Sequence, residues 1–189
     1  MSKIFNYSSI KDTVAKAMLP GQKSRVSNVD TIVAKPSSVT AEIEDGMLVK
    51  LVEGRVEPLA AGDTASDVFG IVVQDLRAQR RGGSFTFGGA QHITGYVPGT
   101  NVSVMLKGFI YVPVADTAEI EAGAPVNIVK TKADGKEVGV VVSTGGEVLP
   151  NAVFTGNYGF PLSSKQDGTT ASKLTAKTAE IAIDFTLKA

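Results

Sequence analysis

Glu42-Ile43-Glu44-Asp45-Gly46 runs directly into Met47-Leu48-Val49-Lys50-Leu51, and 77 positions later (119 against 42) Glu119-Ile120-Glu121-Ala122-Gly123 runs into Ala124-Pro125-Val126-Asn127-Ile128. Each copy is an acidic-apolar lead-in, a glycine turn and an apolar run of strand length. Side chains alternate sides along an extended segment, so the two glutamates of a copy share one side and the isoleucine takes the other. The reading is that Ile43 and Ile120 tuck inward while the glutamates form the polar lip of a turn. Gly46 and Gly123 supply the left-handed backbone conformation such a turn needs. A device of turn plus strand, used twice, describes architecture rather than chemistry.

The composition agrees. The chain has 189 residues, enough for one domain with an appendage or at most two small domains. With 20 glycines and 8 prolines between short valine-rich runs, it has the punctuation of a turn-rich β-protein. There is no cysteine, which removes disulfides, thiolate metal sites and thiol nucleophiles and suits a reducing cytoplasm. Net charge is zero, so bulk attraction to nucleic acid or an anionic membrane is not expected. Residues 1–19 lack the continuous apolar core of a secretory signal, and nowhere do about 18 apolar residues run together to span a membrane.

Residues 1–40 read as an arm. Residues 1–25 carry Lys3, Lys11, Lys16, Lys23 and Arg25 against the single acid Asp12. Ile10, Val14 and Met18 fall at helical spacing, Ser9 and Asp12 resemble a capping box, and Pro20-Gly21 stops the pattern. The expectation is a short helix over about 9–19, too short to stand alone in water, followed by an extended stretch to residue 40. Residues 41–189 read as one β-domain. Strands are expected at 47–52, with a hairpin turn at Glu53-Gly54, at 68–76, where Gly70 marks a bulge or close contact, and at 102–106. Lys107-Gly108 is expected to be a tight turn into a strand at 109–114, whose Pro113 would lie at a sheet edge. Further strands are expected at 125–129, at 138–142 after the turn Asp134-Gly135, and at 180–188, where Ile181, Ile183, Phe185 and Leu187 alternate with polar partners. Residues 77–99 and 163–177 read as long loops.

Catalysis finds few candidates. The one histidine, His92, sits in a glycine-rich stretch, and no Gly-x-Ser-x-Gly elbow occurs. One histidine and no cysteine make a zinc site improbable, and the paired glutamates are better explained as turn surface than as an acid/base or calcium pair. The glycine pairs at 82–83, 88–89 and 145–146 lack the Lys-Ser/Thr of a phosphate loop and read as turns. Arg77, Arg80 and Arg81 open the first long loop. With few aromatics nearby to stack on bases, they read as a solvated loop or as one contacting a protein neighbour.

The order of segments carries a resemblance. A basic arm precedes Ile43-Glu44-Asp45-Gly46-Met47-Leu48-Val49, then Val68-Phe69-Gly70-Ile71-Val72-Val73, then Lys107-Gly108-Phe109-Ile110-Tyr111-Val112-Pro113-Val114, then Ala122-Gly123-Ala124-Pro125-Val126 and Val138-Gly139-Val140-Val141. Over residues 40–187 this resembles the capsid cement, or head decoration, proteins of tailed bacteriophages. The resemblance implies a mainly β fold, a small β-barrel or β-tulip-like domain, and a role without enzymatic activity or cofactor. Such a protein would be made in the bacterial host cytoplasm and sit on the outside of the phage head. It would bridge neighbouring copies of the major capsid protein, as a homo-oligomer, a dimer or trimer at a symmetry axis. The arm residues Ile10, Val14, Met18, Lys11, Lys16, Lys23 and Arg25 would then touch the capsid, Arg77, Arg80 and Arg81 a neighbour, and Gly46, Gly70, Gly108 and Gly123 would be structural. The competing expectation, a carbohydrate- or surface-binding β-module, lacks the tryptophan platforms such modules favour.

Overall fold

A computed structural model of the chain describes residues 20–24, 30–74, 95–115, 119–131, 138–159 and 177–187. Among the described residues nine strands form one continuous sheet: β1 (Thr31–Pro36), β2 (Leu48–Val52), β3 (Arg55–Pro58), β4 (Val68–Val72), β5 (Asn101–Val114), β6 (Pro125–Ile128), β7 (Val141–Val142), β8 (Glu147–Gly159) and β9 (Lys177–Asp184). Short 3₁₀ turns at Ala65–Asp67 and Phe185–Leu187 are the only helical elements among the described residues.

The sheet closes on itself twice. In the first ring β1 pairs β5, β5 pairs β4, β4 pairs β2 and β2 pairs β3. A parallel bridge from Val56 to Ser37, just beyond β1, completes it. In the second ring β5 pairs β9, β9 pairs β8, β8 pairs β6 and β6 pairs β7. The parallel pair Val114–Val141 between β5 and β7 completes that one. The order 1-5-4-2-3 in the first ring therefore recurs as 5-9-8-6-7 in the second. The β-domain is a tandem of two small barrels sharing β5, and closure leaves few open sheet edges.

The repeated phrase opens each ring with the same hydrogen bonds. Gly46 N–H donates to the Val72 carbonyl, Val72 N–H to Met47 and Met47 N–H to Glu44, at 2.9, 2.9 and 3.3 Å. In the second copy Gly123 donates to Phe154, Phe154 to Ala124 and Ala124 to Glu121, at 2.8, 2.9 and 3.3 Å. Gly46 and Gly123 have φ of 73° and 82°. Ile43 and Ile120 are buried and Glu42, Glu44, Glu119 and Glu121 are exposed, as the alternation requires.

Each ring has its own core. Ile43, Val49, Val56, Val72, Tyr96, Val102 and Val104 fill the first. The second core runs from Ile110, Val112 and Val114 on β5 to Phe154, Ile181 and Phe185, and reaches back to Leu48, Ile71 and Met105 at the junction. Gly70 is needed there: a Cβ on it would lie 2.5 Å from Val104 Cγ1 and 2.8 Å from the Met105 carbonyl oxygen. The pairing of β2 with β4 also shifts register between Val49 and Lys50, so Gly70 marks both a close contact and an irregularity.

Several expectations are corrected. Lys107-Gly108 is no tight turn; β5 runs through it for 14 residues. The even-numbered side chains from Val102 to Val114 keep one phase across Gly108, which a turn would have reset. Gly108, with φ of 137°, instead leaves room for the Asp30 carboxylate, 2.6 Å from where its Cβ would be. Pro113 is at no open edge: it pairs with Thr178 on β9, and its ring lies against Gly46, with Cδ 3.0 Å from where a Cβ on that glycine would be. The expected extended stretch up to residue 40 contains β1, so the sheet begins at Thr31. The strand at 138–142 contracts to β7 because Gly139 turns with φ of 80°. The last strand stops at Asp184 and gives way to a 3₁₀ turn, although Phe185 stays buried. The long strand β8 has no counterpart among the expected strands. Pro150, Asn151 with φ of 58° and Gly156 with φ of 86° break its alternation. Its bulge between Phe154 and Tyr158 is held by the buried Glu180, whose carboxylate accepts hydrogen bonds from Thr155 Oγ1 and, at 2.6 Å, from Asn157 Nδ2.

Candidate functional site

The described surface offers little to a catalytic reading. Among the described residues no three His, Cys, Asp or Glu side chains stand close enough to hold a metal ion. The two glutamate pairs lie on separate turns, one in each ring, and both face solvent. Two other carboxylates have lowered pKa values, and both are structural. Burial pushes Asp63 up, but Lys50 at 2.8 Å and the Ala60 N–H at 2.6 Å outweigh it and hold the carboxyl below its ordinary value. Asp184 is held low by Lys107 at 2.6 Å and by Thr186. Each pins one strand or loop to its neighbour.

What the structure does build with care is the root of the arm. Residues 20–24 lie between β4 and the second half of β5. Gly21 N–H donates to the Tyr111 carbonyl at 2.8 Å, Tyr111 N–H to Gln22 at 3.0 Å and Ser24 N–H to Phe109 at 3.2 Å. On the other side Gln74 N–H donates to the Gly21 carbonyl at 2.8 Å. Gly21 (φ 74°) and Gly46 cross backbone to backbone: a Cβ on Gly21 would come within 2.8 Å of Gly46 N and 2.9 Å of both Gln74 N and the Val72 carbonyl oxygen. Only two glycines allow this crossing. Lys23 then bridges to Ile110, and its ammonium lies 2.5 Å from Asp30, whose side chain is 7% exposed. Lys23, one of the expected contact residues, thus ties the arm root to the start of β1, with a third of its own side chain still exposed.

The long loop shares that root. Gln74, its last described residue on the β4 side, is the residue bonded to Gly21. At the other end Tyr96 is buried. Its hydroxyl lies 2.8 Å from Asp45 Oδ1 and 2.9 Å from the Val73 carbonyl oxygen, sharing its hydrogen between them. Tyr96 N–H also donates to Ile43 at 2.8 Å. One aromatic thus joins both ends of the 75–94 segment to the first copy of the repeated phrase. Sequence reasoning places Tyr96 inside a loop; its packing in the first core has no local periodic signal. Tyr96→Phe is expected to cost about 1–2 kcal/mol, chiefly by orphaning the Val73 carbonyl, which thermal unfolding would show.

Ile10, Lys11, Val14, Lys16, Met18, Arg25, Arg77, Arg80, Arg81, His92 and the expected helix over 9–19 lie outside the described residues. Their attachment points do not: residues 1–19 and 75–94 join the described fold at Pro20 and Gln74, on either side of the Gly21–Gln74 hydrogen bond. Acidic residues outnumber basic ones among the described residues, whereas the remaining residues carry the excess of lysine and arginine.

Comparison with known proteins gives one family and one fold. The family described as structural cement protein (E217 gp24/Pam3 gp6) matches residues 8–183. A chain from a solved structure described as "The capsid of Myoviridae Phage XM1" is similar at a TM-score of 0.58 and 15% identity, covering 89% of this chain and 91% of that one. No curated protein matches.

Proposed function

The chain belongs to the family of phage structural cement proteins, and from that premise we propose that it binds the outer surface of a phage head and ties neighbouring capsid subunits together. A capsid-associated structural role follows from the family; the bridging is our reading of the geometry. The observation that carries it is the shared root. Two basic segments, residues 1–19 with Lys3, Lys11 and Lys16 and residues 75–94 with Arg77, Arg80 and Arg81, depart from one rigid crossing of two glycines. Two such segments from one point can reach two different subunits, which is the geometry a bridge requires.

The physical logic is linkage. A protein that binds the assembled shell and not its separated subunits shifts the equilibrium against rupture. The double barrel supplies a rigid body, closed against edge-to-edge aggregation, and the segments supply contact area and charge. Basic segments would speed docking on an acidic capsid surface, while zero net charge limits repulsion between copies packed side by side. The partner is the major capsid protein, the location is the virion exterior, and assembly at a symmetry axis as a dimer or trimer fits such a lattice. The role needs neither catalysis nor cofactor.

The test is sedimentation with phage heads stripped of this protein. Saturable co-sedimentation, together with a higher temperature of head rupture, is the expected result. Heads that pellet without the protein at micromolar concentrations would end the proposal.

A further inference from the structure

At the junction of the two rings a cleft of about 160 Å³ opens, walled by Met47, Leu48, Leu59, Pro113 and Val140, with Glu44 at its rim. Its size decides what it can hold. An apolar cavity of roughly 150 Å³ takes a benzene ring. This cleft therefore takes one apolar side chain, and neither a nucleotide nor a helix. The acidic rim favours a side chain that arrives beside a cation.

The β2–β3 hairpin carries such a pair on the same face as the cleft. Its register is unbroken, with Lys50 opposite Glu57 and Val52 opposite Arg55. Leu48, Lys50 and Val52 share one face of β2, and Arg55 stands beside Val52 on that face. Val52 is 37% exposed, and the exposed Arg55 donates to the Ser37 carbonyl oxygen at 3.4 Å. Leu48 ends this face in the cleft and Val52 ends it at the tip, about 13 Å away along the strand. The tip therefore points away from the cleft of its own molecule. We propose that two copies pair through this face about a two-fold axis, each seating its Val52 in the other's cleft and setting its Arg55 guanidinium against the other's Glu44. A two-fold contact is reciprocal, so two antiparallel hairpins satisfy both clefts and both tips at once. Between the ends, Lys50 is already neutralised by Asp63 at 2.8 Å. A face two strands wide and about 13 Å long is smaller than the ~1,200 Å² at which standard interfaces begin. The pair is thus weak in dilute solution and fills where copies stand side by side on one surface. The inference names the surface behind the oligomer of the proposed function and rests on that reading for the oligomer alone.

Sedimentation velocity of the full chain up to millimolar concentration tests the pairing. Dimers that grow with concentration are expected. Arg55→Glu and Val52→Asp, both at exposed positions, are each expected to weaken the dimer by roughly tenfold or more at unchanged circular dichroism. Arg55→Glu combined with Glu44→Arg exchanges the two signs and is expected to recover it. Should that pair fail to fold, Glu44→Gln alone takes its place and is expected to weaken the dimer as Arg55→Glu does. A full chain that stays monomeric, trimers in place of dimers, or dimers indifferent to Arg55→Glu or Val52→Asp would each overturn the proposal. So would a folded exchanged pair that stays apart, which would leave the cleft to a side chain of another protein. A monomeric chain that still sediments with heads would end this inference and leave the proposed capsid binding standing.

Discussion

Gly46→Ala is expected to lower the melting temperature by roughly 10 °C or more, while Gly123→Ala, at the same place in the other copy of the repeated phrase, lowers it by only a few degrees. Both residues have positive φ, 73° and 82°, so both substitutions meet the same backbone strain of about 1–2 kcal/mol. What differs is the surroundings. A Cβ on Gly123 meets nothing within 4 Å. A Cβ on Gly46 would lie 2.8 Å from the Gly21 nitrogen, 3.0 Å from Pro113 Cδ and 3.1 Å from Pro20 Cβ. Overpacking of that kind costs about 1–3 kcal/mol by itself. Relief would push Gly21 away from Tyr111 and Gln74, to which it is hydrogen-bonded at 2.8 Å on both sides. Each buried group orphaned in this way costs about 1–3 kcal/mol more. At about 2–4 °C per kcal/mol for a chain of this size, the two variants separate clearly in a thermal melt. Equal losses would show that the crossing of Gly21 and Gly46 does not hold the arm root.

The pair also shows where reading the sequence stops. The phrase Glu-Ile-Glu-x-Gly reveals the turns, the inward isoleucines and the outward glutamates, because those follow from local alternation and from the conformational freedom of glycine. It does not reveal that its two copies open two rings, because ring closure depends on pairings between residues more than 60 positions apart, such as Thr31 with Lys107 and Lys107 with Asp184. Lys107-Gly108 reads as a turn since Lys-Gly is turn chemistry. The strand persists because different partners hold its two halves, β1 and β4 before Gly108 and β9 after it. The strand β8 is hidden for the converse reason: its bulge is stabilised by Glu180, a residue on another strand. The candidate contact residues rest on charge and helical spacing. Charge alone does not reveal that Lys23 also pairs with Asp30, seven residues away and within the same molecule.

Removing residues 1–19 and removing residues 1–25 are therefore expected to have different consequences. The shorter truncation leaves Gly21, Gln22 and Ser24 bonded to β5 and β4 and leaves the Lys23–Asp30 ion pair intact. Its barrel should fold and melt within several degrees of the full chain. Binding to stripped heads should nonetheless fall at least tenfold, because the basic lysines and the apolar stripe Ile10, Val14 and Met18 are gone. The longer truncation removes the root as well. It strips three backbone hydrogen bonds from Phe109 and Tyr111 and leaves Asp30, with its side chain 7% exposed, without its lysine. The lysine side chain is itself 33% exposed, so losing it from this half-buried pair costs about 1–3 kcal/mol. Residues 1–25 thus divide at Pro20: residues 20–24 form a clamp that belongs to the fold, and residues 1–19 carry the proposed capsid contact. Co-sedimentation and thermal melts on both truncations separate them. Undiminished binding by the shorter truncation would remove the arm from the capsid contact and leave the 75–94 segment to make it. A longer truncation as stable as the full chain would mean that the clamp at Gly21 and Lys23 adds nothing to the barrel.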